Sequence, residues 1–143
     1  MNDDTLFDRA AANYNAAKAI RDIPDRDELY LNLAGYHLQQ AVELTIKYLL
    51  ENEGVEYPYT HDIDQLIRLA NENHVELFTG GYIDEHSEML SQWEAKTRYI
   101  RGYFVEERKI NTAMAEIRKY LECVKEHIRE ERSQAEHNTH DEI

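Results

Sequence analysis

Glycine, proline and cysteine are all scarce in this chain of 143 residues, which holds 5 Gly, 2 Pro and 1 Cys. So few turn-forming residues, beside 31% charged residues, point to helices with few breaks. The one cysteine, Cys123, excludes an intrachain disulfide and fits a reducing, cytoplasmic setting. No long apolar run follows the acidic start Met1-Asn2-Asp3-Asp4, so neither a secretory leader nor a spanning helix is expected. Positive charge is short as well. Lys and Arg number 16 against 29 Asp and Glu, a formal net charge of −13. Such a surface repels phosphate and argues against binding along duplex DNA or on a membrane, while leaving room for a local basic site. A chain of this length forms one domain and buries roughly 70% of its unfolded surface, so it needs no metal or disulfide staple.

Apolar periodicity predicts five helices. The first runs from about Thr5 to Arg21, with Phe7, Ala10, Ala11, Tyr14 and Ala17 on one stripe. Ile23-Pro24-Asp25 breaks it, and Asp25 or Asp27 can cap the next. That second helix, about Glu28 to Asn52, is apolar over so much of its circumference that it must be covered on two sides. Gly54 ends it. Thr60 or Asp62 starts the third helix, Asp62 with Gln65 having capping-box spacing, and Ile63, Leu66, Ile67 and Ala70 give it an apolar face. The fourth is expected over about Ile83 to Ile100, after a break at Thr79-Gly80-Gly81. The fifth, about Ile110 to Ile128, carries the cleanest stripe. The domain therefore covers residues 5–128. Residues 129–143 have almost no apolar content and are expected to form a polar, disordered tail. The expected fold is all-α, an antiparallel up-and-down bundle.

Within the second helix, Tyr36-His37-Leu38-Gln39-Gln40-Ala41-Val42-Glu43-Leu44-Thr45-Ile46-Lys47-Tyr48-Leu49-Leu50 resembles the central helix of the HEPN family. Tyr57-Pro58 and Thr60-His61-Asp62-Ile63 resemble the family's entry to the next helix. Arg98-Tyr99 sits where many members have an Arg-Tyr pair. The resemblance covers about residues 5 to 128 and implies a helical bundle, commonly a homodimer. It implies one of three roles: a metal-independent ribonuclease, often a toxin; a companion of a small nucleotidyltransferase, as in toxin–antitoxin pairs; or a dimerisation or nucleotide-binding module.

The ribonuclease members pair an arginine with a histidine four to six residues on, near the start of the last core helix. Histidine moves the proton and arginine clamps the phosphate. Here Arg68–His74 and Arg132–His137 have that spacing. Ten arginines, 7 histidines and three allowed spacings in 143 positions give roughly one or two such matches by chance. Near the family's usual place stands Arg98-Tyr99-Ile100-Arg101-Gly102-Tyr103, with tyrosine where histidine is wanted. Tyrosine, with a pKa of about 10, is a poor base at neutral pH.

His37, Gln40, Glu43 and Lys47 recur at spacings of three and four on the second helix. One reading makes them a polar groove at a dimer seam, with His37, Lys47 and Arg98 meeting a nucleotide phosphate. The other makes Glu43–Lys47 an ordinary helix salt bridge and His37 a hydrogen-bonded core residue. Arg98, Tyr99, Arg101 and Tyr103 form the one basic, aromatic stretch, suited to gripping phosphate and stacking on a base. Alternatively, Arg98 pairs with a buried carboxylate such as Glu43. Asp62 is expected as a helix cap and His61 as a structural neighbour of the central helix. No metal cluster, phosphate loop or cofactor motif is expected. The leading reading is a non-enzymatic accessory module that binds a nucleotide or a small nucleotidyltransferase, with a ribonuclease toxin and a ligand-free dimeric scaffold as alternatives.

Overall fold

The structure, a computed structural model, describes the backbone of residues 4–141 and the side chains of residues 4–136. Among the described residues, six helices form an all-α, antiparallel up-and-down bundle: α1 (Leu6–Arg21), α2 (Glu28–Asn52), α3 (Ile63–Glu72), α4 (Gly80–Glu85), α5 (Ser87–Tyr99) and α6 (Glu107–Asp141). Among the described residues, no helix is long and apolar enough to cross a membrane.

Local chemistry fixes the helix ends. Thr5 and Asp8 form a reciprocal capping box at α1. Asp27, rather than Asp25, caps α2 by accepting from the Leu29 and Tyr30 amides. Asp62 caps α3 by accepting from the Gln65 amide at 3.3 Å. Gly54 follows α2 at φ +70°, a conformation that a side chain would strain.

α2 is the central helix, packed against α1, α3, α5 and α6. Leu38, Ala41, Val42, Ile46 and Leu50 are fully buried along it, and each large apolar side chain so placed contributes about 1.5–3 kcal/mol. Gly35 faces both α5 and α6. A Cβ there would lie 3.3 Å from the Ile110 methyl of α6 and 3.5 Å from the Trp93 ring of α5. A methyl there would make ordinary contact with the indole and would press on the Ile110 side chain, which would have to give by a few tenths of an ångström. The α5–α6 connection is fastened along α2 by Asn32, whose amide donates to the Tyr103 carbonyl at 2.7 Å and whose Oδ1 accepts from the Val105 amide at 3.0 Å.

Two segments differ from the sequence reading. The expected fourth helix is two, α4 starting at Gly80 and α5 at Ser87. The ladder continues on both sides, from the His86 amide to the Tyr82 carbonyl and from the Leu90 amide to the His86 carbonyl. The break is thus a kink, held where the Ser87 hydroxyl donates to Asp64 of α3. The second difference is at the end. α6 remains helical through Asp141 instead of ending near Ile128. Arg, Glu, Gln and Ala, good helix formers, make up most of its first two turns, and His127–Glu131 at 3.0 Å and Glu126–Arg129 at 3.8 Å are pairs one turn apart. Of the Arg132–His137 spacing, the His137 side chain lies outside the described residues.

Candidate functional site: a buried ionic cluster beside an aromatic edge

Glu43 on α2, 2% exposed, is the centre of a polar cluster drawn from three elements. Its Oε2 accepts from the Lys47 ammonium at 3.0 Å, one turn on. Its Oε1 accepts from the Gln39 amide at 3.0 Å and faces His61 Nδ1 at 2.9 Å. Since a carboxylate only accepts, Nδ1 carries the proton of that contact. Gln39 also donates to the His61 carbonyl at 3.1 Å, tying the α2–α3 connection to the central helix. Gln40 donates to Gln39 Oε1 at 2.7 Å.

The far side of the imidazole faces α5. His61 Nε2 lies 3.7 Å from Glu94 Oε1, and Glu94 is itself nearly buried. Arg98, one turn on, donates through Nη2 to that carboxylate and through Nε to the Glu94 carbonyl at 2.8 Å. The cluster thus runs Lys47–Glu43–His61–Glu94–Arg98, with two anions matched by two permanent cations. Such matching is what makes burial of these charges tolerable.

Aromatic rings line its outer edge. The Arg98 guanidinium lies 4.7 Å from the Tyr36 ring centre and 4.8 Å from that of Tyr99, within reach of both ring faces. Tyr59, 92% exposed, meets His61 edge-on at 5.4 Å. At the inner end, Lys47 Nζ sits 5.4 Å from the Tyr57 ring centre. The Tyr57 hydroxyl donates to Glu51 at 2.6 Å. Burial first, then that bond and the charges of Glu51 and Glu43, push its pKa up.

The sequence-predicted site residues divide into three groups. Gln40, Glu43, Lys47 and His61 come together in the cluster, and Arg98 closes it through Glu94 rather than through Glu43. Lys47 turns its charge inward, whereas Arg98 keeps 33% of its side chain exposed. Tyr99 and Arg101 are exposed next to Arg98. Tyr103 is half-buried, and burial raises its pKa above the usual tyrosine value. His37 is elsewhere. Its Nδ1 faces Asn13 Oδ1 of α1 at 2.8 Å, and the Asn13 amide in turn donates to the Arg9 carbonyl. Burial holds the His37 pKa below the usual histidine value. Asp62 spends its carboxylate on the α3 cap. Arg68 and His74 are exposed on α3 and in the turn after it, outside the cluster.

Five residues of the site were not singled out as site residues by sequence: Tyr36, Gln39, Tyr57, Tyr59 and Glu94. Glu94 carried a readable signal, because Glu94–Arg98 is an i,i+4 pair of the favourable polarity. Gln39 carried a signal only through the family-like pattern of the central helix.

The HEPN domain family model matches residues 5–127. The class that this bundle and its central-helix cluster define is therefore the HEPN domain, and the chain belongs to that family. Neither the curated proteins nor the solved structures include a match to it.

Proposed function

We propose that this chain is a non-enzymatic HEPN accessory module that works as a homodimer and takes a nucleotide at the Arg98 edge. A small nucleotidyltransferase partner would carry out the chemistry. One observation carries the reading: Arg98 is fixed by Glu94 between two tyrosine rings, yet remains a third exposed. A base can stack on Tyr99 or Tyr59 while the phosphates meet Arg98 and Arg101. Lys47 supports the site from behind by neutralising Glu43.

Calorimetric titration with ATP and GTP tests this, using wild type, Arg98→Ala and Arg101→Glu. Affinity is expected to fall at least about tenfold in Arg98→Ala, the effect of one charge-assisted contact. Wild type that binds neither nucleotide, or variants that both bind as tightly as wild type, would refute the reading.

A second reading, the metal-independent ribonuclease, draws on one observation too. Glu43 orients His61 through Nδ1, and Nε2 is left facing Glu94 and its Arg98. An oriented imidazole near an arginine has the parts for general acid–base work on a phosphodiester. RNA cleavage that persists in chelator and disappears in both His61→Ala and Arg98→Ala would establish it. A folded wild type that leaves RNA intact would dismiss it.

A further inference from the structure

A cavity of about 390 Å³ opens between α3 and the segment that leads into α4. Asn71, Glu76, Thr79 and Asp84 form its polar side, and Ile67 and Leu77 its apolar side. It shares no residue with the ionic cluster or the Arg98 edge. Its two carboxylates are only half used. Glu76 Oε1 accepts from the Phe78 amide at 2.9 Å, and Asp84 Oδ1 accepts from the Thr79 hydroxyl at 2.7 Å. Among the described residues, the second oxygen of each has no donor, and neither carboxylate has a cationic side chain within 4 Å. Both residues are exposed, so the cavity is open to entry.

Beside it, α6 contributes a polar group with no partner. Glu116, Tyr120 and His127 fall on one side of α6, at spacings of four and seven. The Phe78 ring lies 4.6 Å from that of His127. Tyr82 feels Glu116, whose charge, after burial, raises its pKa. The stretch from Phe78 to Tyr82 therefore crosses over Tyr120. Tyr120 is 3% exposed, and its hydroxyl has no hydrogen-bond partner among the described residues. Buried hydroxyls are nearly always bonded, so this one asks for an explanation. Burial pushes its pKa well up, and Cys123, then Asp84 and Glu76, add to that push. The hydroxyl thus lies toward the two carboxylates of the cavity.

We infer that this cavity is a binding site for a primary ammonium group, of the kind carried by short alkyl amines and diamines. The groups left over select that class. Glu76 Oε2, Asp84 Oδ2 and the Tyr120 oxygen are three acceptors, and an ammonium carries three donors and no acceptor. Two carboxylates exceed one positive charge, which suits a diamine whose second ammonium stays at the exposed rim. Ile67 and Leu77 take its methylene body, as apolar surface takes a lysine stem. A quaternary ammonium has no N–H to offer these oxygens. A metal ion is less well served, since no group of three metal-binding side chains occurs among the described residues. The net charge of −13 draws cations toward the surface. Contact with the hydroxyl needs the stretch above it to yield, and the adjacent Gly80 and Gly81 are the flexible place for that.

Calorimetric titration of the full chain with putrescine at fixed ionic strength tests this, with tetramethylammonium chloride as the cation without N–H donors. Saturable binding of putrescine and none of tetramethylammonium is expected. Asp84→Asn and Glu76→Gln should each lower affinity about tenfold or more, the effect of losing one charge-assisted bond. Tyr120→Phe separates a ligand contact from a packing role. It deletes a hydroxyl without a partner in the protein, so the melting temperature without putrescine should hold or rise. Putrescine affinity should meanwhile fall about fivefold or more, as loss of one hydrogen bond does. No saturable binding, equal binding of tetramethylammonium, or full affinity in Tyr120→Phe would each overturn the site.

Discussion

Removing the Lys47 charge while keeping its bulk, by Lys47→Met, tests whether the central cluster is a buried ionic structure. Glu43 and Lys47 have side chains 3% and 10% exposed, and their charged atoms are 3.0 Å apart. Taking away one partner of such a pair costs about 3–5 kcal/mol, because the other charge stays buried. Gln39 and His61 continue to donate to Glu43, so the lower end, about 3 kcal/mol, is expected. That is a large part of the 5–15 kcal/mol available to a typical domain. For a chain of this size it lowers the melting temperature by roughly 10 °C. The molecule contains its own control: Arg118–Glu122 has the same spacing and the same 3.0 Å separation, but both side chains are about two-thirds exposed. Arg118→Met should cost under about 1 kcal/mol. Urea unfolding followed by Trp93, the one tryptophan and almost fully buried, measures both. A Lys47→Met shift no larger than that of Arg118→Met would refute the reasoning. Glu43→Gln with Lys47→Met should recover part of the loss, since no lone charge then remains.

Two further outcomes follow from single side chains. Asn32→Ala leaves the buried Val105 amide without its acceptor, which should cost about 1–3 kcal/mol. Hydrogen exchange at Val105 should accelerate more than exchange in α6, and equal protection would count against the Asn32 fastening. His37 gives a pH dependence. Burial lowers its folded-state pKa below the ordinary 6.5, so the unfolded chain binds more protons between those two values. Stability should therefore be full above about pH 6.5 and fall as pH drops toward the folded pKa, levelling below it. Comparing urea midpoints at about pH 7.5 and 5.5 in wild type and His37→Gln checks this. The variant should lose part of the slope, and an unchanged slope would place its origin in other groups.

Much of this architecture was legible because local chemistry and packing agree along α2. An apolar circumference, an aspartate at the start and a glycine after the end predict Glu28 to Asn52, and α2 has those bounds. The break at His86 was not legible, since no proline or glycine marks it and the contact beside it, Ser87 bonding Asp64, is tertiary. The long α6 was missed for a related reason. Apolar stripes report burial, whereas this helix continues past its buried stretch on propensity and local ion pairs. Within the site, successive steps of three walk round a helix, at 100° per residue, by about 60° each time. His37 and Glu43 are two such steps apart, roughly 120° round α2. His37 therefore reaches α1, while Tyr36, nearly in line with Glu43, reaches Arg98. Glu94 belongs to another helix, and only its spacing to Arg98 announced it.

Asn32 also bears on the kinetics of encounter. With its oxygen on one backbone amide and its nitrogen on a carbonyl two residues away, a single side chain sets the connection against α2 before any encounter. An arriving molecule meets a finished relief and spends no binding energy on ordering a loop. Association at such a face should proceed as rigid-body docking, at about 10⁵–10⁷ M⁻¹s⁻¹. Loosening Asn32 should then slow capture as well as weaken the complex, a signature that separates a prepared surface from one that forms on contact.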